Sequence, residues 1–424
     1  MRIAIIAPGS RGDVEPYVAL GRGLKQAGFD VRLVTSLDFE SFVRANGVEF
    51  WPVEGNVQDI AQSSDMRAAM EGGNFLTVLS RMAKEAQRGA VALATGGAAA
   101  CREADLVISG PAGLFIGIAL AEKYSIPLAQ AYYIPFTPTN AYPSFLVPRL
   151  PLWPGALNRL SYHLARQMMW QAFRPADGVA RREVLGLPPA RFAGPFNARC
   201  LTQAPVLYGY SPAVIARPPD WDRRTHVTGY WFLDGDDDWR PPATLQAFLE
   251  AGPPPVCVGF GSMSSRDPRQ AADLVLHALE MSGRRAVILS GWDGVRGVDL
   301  PETAYAVESV PFTWLFARVA AVVHHGGAGT TAAGLRAGVP SVVVPFFGDQ
   351  PFWGRRVAEL GVGPEPIPRQ QLTAERLARA IRTAVTDREM GVRAAALGAK
   401  IRAEDGVGRA VEAIQDFAAR GAGA

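Results

Sequence analysis

Two series of short apolar runs alternate with helical stretches along the 424-residue chain, and this alternation restricts the fold more than any other feature. The first series reads RIAIIAP, DVRLVTS, DLVISG and IPLAQAYY, and the second reads PVCVGFGS, RAVILSG, AYAVES, AAVVHHG and PSVVVPF. Such runs, separated by helices, are typical of parallel βαβ units. The pattern predicts an α/β protein with two parallel sheets and with helices at 15–27, 268–282 and 328–337.

The segment between the two series, GYWFLDGDDDWRPPATL, combines turn formers, an acidic run and two adjacent prolines. This composition is typical of an interdomain linker, and 424 residues suit two domains of about 200 residues each. We predict domains at 1–237 and 238–424, with the option that the last helix packs back on the first domain. In LDGDDDW (233–239), a metal site is a weaker alternative to a solvated loop.

Composition excludes several classes of protein. The formal net charge is only +3 and Lys and Arg are dispersed, which argues against a nucleic-acid-coating protein. Three distant cysteines, Cys101, Cys200 and Cys257, form neither a disulfide framework nor a metal motif and suit the cytoplasm. We expect no signal peptide, because the first apolar run is very short, and no membrane-spanning helix, because no apolar run has the length for one, and we leave peripheral membrane contact open.

The first glycine-rich turn, APGSRGDVEP, follows the first strand but carries an acid, Asp13. A dinucleotide-binding turn would hold an anionic phosphate at this place, and a carboxylate would repel it. Two simpler interpretations of Asp13 are an N-cap for a helix beginning at Glu15 and a salt bridge with Arg11.

The second glycine-rich turn, HHGGAGTTAAGLRAG, joins a strand to a helix. Small residues allow close approach of a ligand, and the first N–H groups of a helix together with its dipole favour an anion. We predict a phosphate site here, with His325, Thr330 and Thr331 as hydrogen-bond donors, although a purely conformational role of the glycines stays open. Adjacent His324 and His325 point to opposite faces of an extended chain, so a zinc site is disfavoured.

Asp349 and Gln350 follow the strand VVVPF. The carboxyl ends of parallel strands form one rim of a sheet, so this pair is predicted beside the second turn, where it can bind sugar hydroxyls. A helix N-cap at Asp349 is the alternative.

The region from Tyr132 to Gly194 interrupts the alternation with many prolines and aromatic residues. Core or lid packing is one interpretation. The other is a lipophilic acceptor pocket, since aromatic and Met side chains suit large apolar ligands, and its candidate residues are Phe136, Tyr142, Phe145 and Met169.

These motifs together resemble a known family. HHGGAGTTAAGLRAGVPSVVVPFFGDQPFWG, with GSRGDVEPYVALG near the start and HVTGYWF before the linker, is similar to the inverting nucleotide-sugar glycosyltransferases of the GT-B type. Within them the chain most resembles sterol glucosyltransferases and next the vancomycin-group antibiotic glycosyltransferases. The resemblance implies two Rossmann-like parallel-sheet domains facing across a cleft, with the acceptor bound by the first and the nucleotide sugar by the second.

The resemblance also assigns roles to residues. It implies UDP-glucose as the donor and no obligatory metal, with Asp13 as the general base for the acceptor hydroxyl. In the second domain it implies contacts from His325 to the diphosphate and from Asp349 and Gln350 to the sugar. The remaining donor-site positions that it implies are Ser262, Gly327, Ala328, Gly329 and Thr330.

Two positions depart from the plant branch of the family. Ser309 stands where that branch has a Trp that stacks on uracil, so recognition of the base is expected from other groups, Val310, Phe312 or backbone. Ala333 stands where that branch has a glutamate that binds the ribose. Uridine and thymidine donors are both compatible with these departures.

The expected function is inverting transfer of a hexose to a hydroxyl of a sterol or related polycyclic alcohol. One alternative is a UDP- or TDP-sugar-dependent enzyme acting on a macrolide, glycopeptide or other secondary metabolite. Another is a GT-B protein that binds a nucleotide or lipid without catalysis. Fold likeness does not identify the acceptor.

Overall fold

The structure of the protein is a computed structural model, which describes residues 1–54, 75–147, 153–234, 239–260, 268–289 and 300–422. Its described residues form two compact units. The first contains residues 1–54, 79–233 and 404–422, and the second contains 75–78 and 234–403. The predicted boundary at Asp237 lies outside the described residues.

The first unit is built on a seven-stranded parallel sheet with the order β3-β2-β1-β4-β5-β6-β7. Its register places Ile3 beside both Val31 and Leu106. These buried, β-branched and leucine-rich strands match the expectation for a sheet covered on both faces. The strands are β1 (Arg2–Ile6), β2 (Asp30–Ser36), β3 (Glu49–Val53), β4 (Leu106–Ser109), β5 (Leu128–Tyr132), β6 (Val206–Tyr208) and β7 (Thr225–Val227).

Helices follow the strands of the first unit, as the alternation predicts. Helix α1 starts four residues before the predicted Glu15, because Ser10 occupies the N-cap position and Arg11 begins the first turn. The helices described before residue 234 are α1 (Arg11–Gln26), α2 (Glu40–Ala45), α3 (Phe75–Arg88), α4 (Ala90–Cys101), α5 (Leu114–Tyr124), α6 (Gly155–Ala180) and α7 (Arg199–Gln203).

The second unit is built on a five-stranded parallel sheet with the order β10-β9-β8-β11-β12. All five strands coincide with the second predicted series. They are β8 (Val256–Gly259), β9 (Ala286–Leu289), β10 (Ala304–Val307), β11 (Ala321–His324) and β12 (Ser341–Val343).

The helices of the second half include both predicted ones, at Pro268–Ser282 and Ala328–Ala337. The helices described after residue 239 are α8 (Ala243–Glu250), α9 (Pro268–Ser282), α10 (Phe312–Leu315), α11 (Ala328–Ala337), α12 (Gln350–Glu359), α13 (Ala374–Thr386), α14 (Arg388–Arg402) and α15 (Gly406–Ala422). Helix α15 belongs to the first unit, where Val411 and Ile414 lie in one apolar core with Leu24 of α1.

In each sheet the strand order reverses at one place, between β1 and β4 in the first sheet and between β8 and β11 in the second. In open parallel sheets, ligands bind beyond the carboxyl ends of the strands at this reversal. The topology therefore directs attention to the segments after β1 and β11, which carry the two glycine-rich turns. Among the helices of the described ranges, none is both long and apolar enough to cross a membrane.

Candidate active site

A narrow crevice lies at the strand-order reversal of the first sheet. Its space of about 150 Å³, part of which is open to solvent, lies beyond the ends of β1 and β4. Asp13, Tyr17 and Tyr133 supply its polar side chains, and backbone of Gly110 and Pro111 forms part of its wall. The carboxylate singled out in the sequence therefore lies where the topology expects a ligand.

Three donors hold the carboxylate of Asp13. The Ser10 N–H donates to its Oδ2 at 2.9 Å and the Ser10 hydroxyl donates to the same oxygen at 2.8 Å. The Tyr133 phenol donates to Oδ1. Hydrogen bonds to an ionised group are the stronger kind, so the half-buried carboxylate is oriented by contacts on both oxygens.

Both simpler interpretations of Asp13 are wrong in this structure. The N-cap is Ser10, and Asp13 is the third residue of α1, where its bond to the Ser10 N–H completes half of a capping box. Arg11 pairs with Glu15 at 2.8 Å, one turn along the helix. Asp13 thus stabilises the helix start with Oδ2, while Oδ1 faces Tyr133.

Gly9 makes this arrangement possible. Its φ is +136°, and a Cβ built on it would lie 2.6 Å from Asp13 Oδ2. Any side chain here would therefore displace the carboxylate as well as strain the backbone. The first glycine-rich turn therefore accommodates the carboxylate of Asp13.

Tyr133 is a site residue that the sequence reasoning missed. It follows β5 directly, 120 positions away from Asp13. The signal available in the sequence was the polar end of IPLAQAYY at a strand terminus. Tyr17 is the second tyrosine of the crevice; its hydroxyl donates to the Ala131 carbonyl at 2.7 Å, and burial, followed by the charge of Asp13, raises its pKa.

The second glycine-rich turn lies at the strand-order reversal of the second sheet. Strand β11 ends at His324, and Gly327 is the N-cap of α11. The first hydrogen bond of this helix runs from the Thr331 N–H to the Gly327 carbonyl oxygen. The N–H groups of residues 328–330 therefore have no acceptor within the helix. The turn thus has the N–H groups at a helix start on which the predicted anion site depends.

The two histidines of this turn differ in their surroundings. His324 is fully buried, and its Nδ1 accepts the Gly326 N–H at 3.0 Å, which puts its proton on Nε2. Burial, and to a smaller extent His325, lowers the pKa of His324 to about 3. His325 is half-buried, and burial lowers its pKa to about 4, so it is a neutral hydrogen-bonding group near pH 7.

Gly327 leaves room for the His325 ring. A Cβ built on Gly327 would lie 2.5 Å from His325 Nε2, so the edge of the imidazole lies against the helix start. Ala328, Gly329 and Thr330 continue the first turn of α11 and are half-buried or exposed. The ring nitrogen and the helix N–H groups are therefore close together.

Gln350 lies next to this turn, as predicted from the shared rim. Strand β12 pairs with β11, and a Cβ built on Gly326 would lie 3.1 Å from the Gln350 carbonyl oxygen. The side chain of Gln350 is buried, and its Oε1 accepts the Phe346 N–H at 2.8 Å and the Phe347 N–H at 3.2 Å. Its amide oxygen thus stabilises the loop before α12.

Asp349 is the N-cap residue of α12 by position, but its side chain makes no capping bond. Its Oδ2 accepts the Trp353 indole N–H at 2.9 Å. Trp353 is fully buried, so it fixes the carboxylate at the sheet rim.

The candidates for base recognition lie farther along the second sheet. Ser309 and Val310 follow β10, which is separated from β11 by β9 and β8. Ser309 is exposed and Val310 is buried, while Phe312 stacks on Phe316 with ring centroids 4.6 Å apart. The helix that begins at Phe312, α10, contacts α11, the helix that follows the second glycine-rich turn.

The four candidate residues of the acceptor pocket differ in how far they are buried. Phe136 and Phe145 are buried, and Phe136 packs on Tyr132 with ring centroids 5.1 Å apart. Tyr142 and Met169 are half-buried. Phe136 and Phe145 therefore contribute to packing of the first unit.

Some predicted positions lie outside the described residues, namely Ser262 and the centre of the acidic run at 235–238. Asp234, at the start of that run, forms a two-bond ion pair with Arg336, at 2.6 and 2.8 Å. Within the ranges that the structure describes, no three His, Cys, Asp or Glu side chains converge as metal ligands.

Two protein families and several known proteins match this chain. The glycosyltransferase family 28 N-terminal domain matches residues 3–143, and the erythromycin biosynthesis protein CIII-like C-terminal domain matches residues 288–412. The sterol 3-beta-glucosyltransferase UGT80B1 of Arabidopsis thaliana is 37% identical over 98% of this chain and 68% of its own length. The chain belongs to the sterol 3-beta-glucosyltransferase family. The resemblance inferred from the motifs is thereby confirmed.

Other members of the family are longer. The sterol 3-beta-glucosyltransferase of Aspergillus fumigatus is 38% identical over 98% of this chain, which spans only 30% of that protein's length. A solved structure, the glycosyltransferase VinC in complex with dTDP, matches 99% of this chain and 100% of its own with a TM-score of 0.65 and 20% identity. That likeness confirms the predicted GT-B fold.

Proposed function

We propose that this member of the family transfers glucose from UDP-glucose, with inversion, to a hydroxyl of a sterol or a similar polycyclic alcohol. The observation that carries the proposal is the carboxylate of Asp13, held by three donors at the strand-order reversal of a chain 38% identical to sterol 3-beta-glucosyltransferases. The donor class follows from the family, and the acceptor class follows from the names of its members.

Asp13 is the proposed general base. Its Oδ2 accepts the two Ser10 donors, and its Oδ1 accepts the Tyr133 phenol, the one donor to this oxygen among the residues that the structure describes. A carboxylate oxygen accepts more than one hydrogen bond, so Oδ1 retains capacity for the proton of the acceptor hydroxyl. That proton passes to Asp13 as the hydroxyl oxygen bonds to the anomeric carbon, a step worth about 100- to 10,000-fold in rate.

Tyr133 is the proposed positioning residue for this base. Its hydroxyl fixes the rotation of the carboxylate, and it lies in the same crevice. A base that is already oriented avoids the cost of ordering it during the reaction. Because the bond to the nucleotide breaks on the opposite side of the anomeric carbon, in-line attack inverts that centre.

The second glycine-rich turn is the proposed diphosphate site. As the bond from the anomeric carbon to the phosphate oxygen breaks, UDP leaves with the bonding electron pair. The first N–H groups of α11 and the neutral His325 ring are donors suited to stabilise this charge. Asp349, oriented by Trp353, and Gln350 are the proposed contacts for the sugar hydroxyls. No metal is required in this scheme.

Mass spectrometry of reactions with UDP-glucose tests the proposal. Sterols, macrolides and flavonoids serve as acceptors, with EDTA present, for the wild type and Asp13→Asn. A hexose on a sterol that is lost in the variant is the expected result. Product only with TDP-glucose or only on a macrolide would contradict the proposed donor or acceptor, and product only without EDTA would contradict the metal-free scheme.

A non-catalytic protein would give a different result. It would be stabilised by UDP or by a sterol in thermal unfolding, since a ligand that binds the folded state raises its stability, but it would form no product with any donor. That outcome would refute the assignment of Asp13.

A further inference from the structure

Helix α6 exposes a line of leucines. Leu157, Leu160 and Leu164 are 39%, 48% and 62% exposed and lie at positions i, i+3 and i+7 of the helix. This spacing puts them on one face, which in a soluble protein normally packs on a core. Contiguous exposed apolar groups of this kind mark interaction surfaces.

Phe192 extends this line. Its ring is 67% exposed, while three side chains of α6 donate to its carbonyl: Gln167 at 3.1 Å, Trp170 at 3.0 Å and Gln171 at 2.8 Å. These bonds attach the loop to the helix in the turns that follow Leu164. The four residues Leu157, Leu160, Leu164 and Phe192 are called the α6 apolar surface below.

Several arginines lie on or beside α6, near the α6 apolar surface. No Asp or Glu occurs in the sequence between Glu122 and Asp177. Arg159 and Arg174 belong to α6, and the guanidinium of Arg174 lies 5.4 Å from the centroid of the Phe192 ring. Arg191, next to Phe192, is exposed.

The acidic groups near this region have other partners. Asp177 is buried and pairs with Arg181 at 2.9 Å, and Glu183 pairs with Arg182 at 2.7 Å. The carboxylate of Asp220 keeps its negative charge, accepts the Thr139 hydroxyl at 2.6 Å and the Asn140 N–H at 2.8 Å, and lies close enough to Arg159 for the arginine charge to help lower its pKa. Arg159, Arg174 and Arg191 outnumber Asp220, so the net charge of these four groups is positive.

We propose that the α6 apolar surface docks on a lipid bilayer that contains anionic headgroups. Leucine and aromatic side chains inserted to the depth of the headgroup region gain hydrophobic free energy, and arginines beside them attract anionic lipid. Arginine also buries its aliphatic part while its charged end stays at the interface. Docking goes beyond the proposed function and does not require sugar transfer, but it places the chain where lipophilic alcohols are dissolved.

Flotation of the full chain with vesicles tests this proposal. Vesicles of phosphatidylcholine alone are compared with vesicles that also contain phosphatidylglycerol, at low and high salt and without any sugar nucleotide. The variants are Leu160→Ser with Leu164→Ser, and Arg159→Gln with Arg174→Gln. Val392→Ser is the matched control, because Val392 is 69% exposed on α14 of the second unit.

We expect binding to the anionic vesicles that weakens with salt, as screening of surface charge requires. Each Leu→Ser change should lower the partition coefficient by about tenfold, since a buried leucine side chain contributes on this scale. The arginine variant should lose the preference for anionic lipid, and the Val392 variant should bind like the wild type. Unchanged thermal unfolding shows that the variants are folded.

Three results would overturn the proposal. They are no binding to anionic vesicles, equal binding to both kinds of vesicle, and equal effects of the Leu and Val392 substitutions. Light scattering is run in parallel. A dimer in solution that the leucine variant dissociates, together with absent vesicle binding, would assign the surface to a second copy of the chain.

Discussion

Removing one hydroxyl tests the proposed base most directly. Tyr133→Phe deletes the donor on Asp13 Oδ1 and leaves the two Ser10 donors on Oδ2. A hydrogen bond to a charged group contributes about 1.5–3 kcal/mol, so its loss should lower kcat by about 10- to 100-fold if it orients the base. KM for the acceptor should change little, because Tyr133 acts through Asp13.

The neighbouring tyrosine is the matched control. Tyr132 is fully buried and its hydroxyl donates to Gln130 Oε1 at 2.9 Å, not to Asp13. Tyr132→Phe should therefore lower the free energy of unfolding by about 1 kcal/mol and leave kcat near the wild-type value. Initial rates at saturating UDP-glucose, with the acceptor varied, separate kcat from KM.

A double-mutant cycle distinguishes positioning from an independent role. In an Asp13→Asn background, Tyr133→Phe should cause little further loss, since residues that act as a unit are strongly non-additive. The reasoning is refuted if kcat of Tyr133→Phe equals that of the wild type or of Tyr132→Phe. Additive losses would assign Tyr133 a role that does not pass through Asp13.

Three other predictions follow from the two glycine-rich turns. Gly9→Ala should displace the Asp13 carboxylate and lower kcat by at least about tenfold in steady-state kinetics. Gly12→Ala is the control and should leave kcat unchanged, because a Cβ at Gly12 would lie 3.9 Å from Ser10 Oγ. Gly327→Ala should push His325 aside and weaken UDP binding by about tenfold in calorimetry, whereas a Cβ at Gly329 meets no atom within 4 Å. Burial lowers the folded-state pKa values of His324 and His325 to about 3 and about 4, so the unfolded chain binds more protons below about pH 6.5. Urea titrations should therefore show the free energy of unfolding decreasing from pH 6.5 to 5, and a constant value would contradict neutral, buried histidines.

Strands and helices that depend on residues close together in the chain were predictable from the sequence. The second series of five apolar runs coincides with β8 to β12, and the predicted helix at 328–337 has the observed bounds. Here the strand is apolar, the junction is glycine-rich and the helix ends at a left-handed Gly338. Each of these signals depends on residues within a few positions of one another.

The parts that depend on distant residues were not predictable in the same way. Strands β6 and β7 are only three residues long, and they exist because β5 offers an edge for pairing. The start of α1 was predicted four residues too late, at Glu15, whereas Ser10 and Asp13 form a capping box for a helix that begins at Arg11.

For the candidate site, the sequence alone determined which groups are candidates for the chemistry: a carboxylate after the first strand, and histidine, glycine and hydroxyl residues after the eleventh. Tertiary structure decided what holds them, because Tyr133 reaches Asp13 across 120 positions and Gln350 reaches the Gly326 turn through pairing of β11 with β12. A hydrogen bond between distant residues depends on the strand order, which is a property of the whole sheet and not of any short segment.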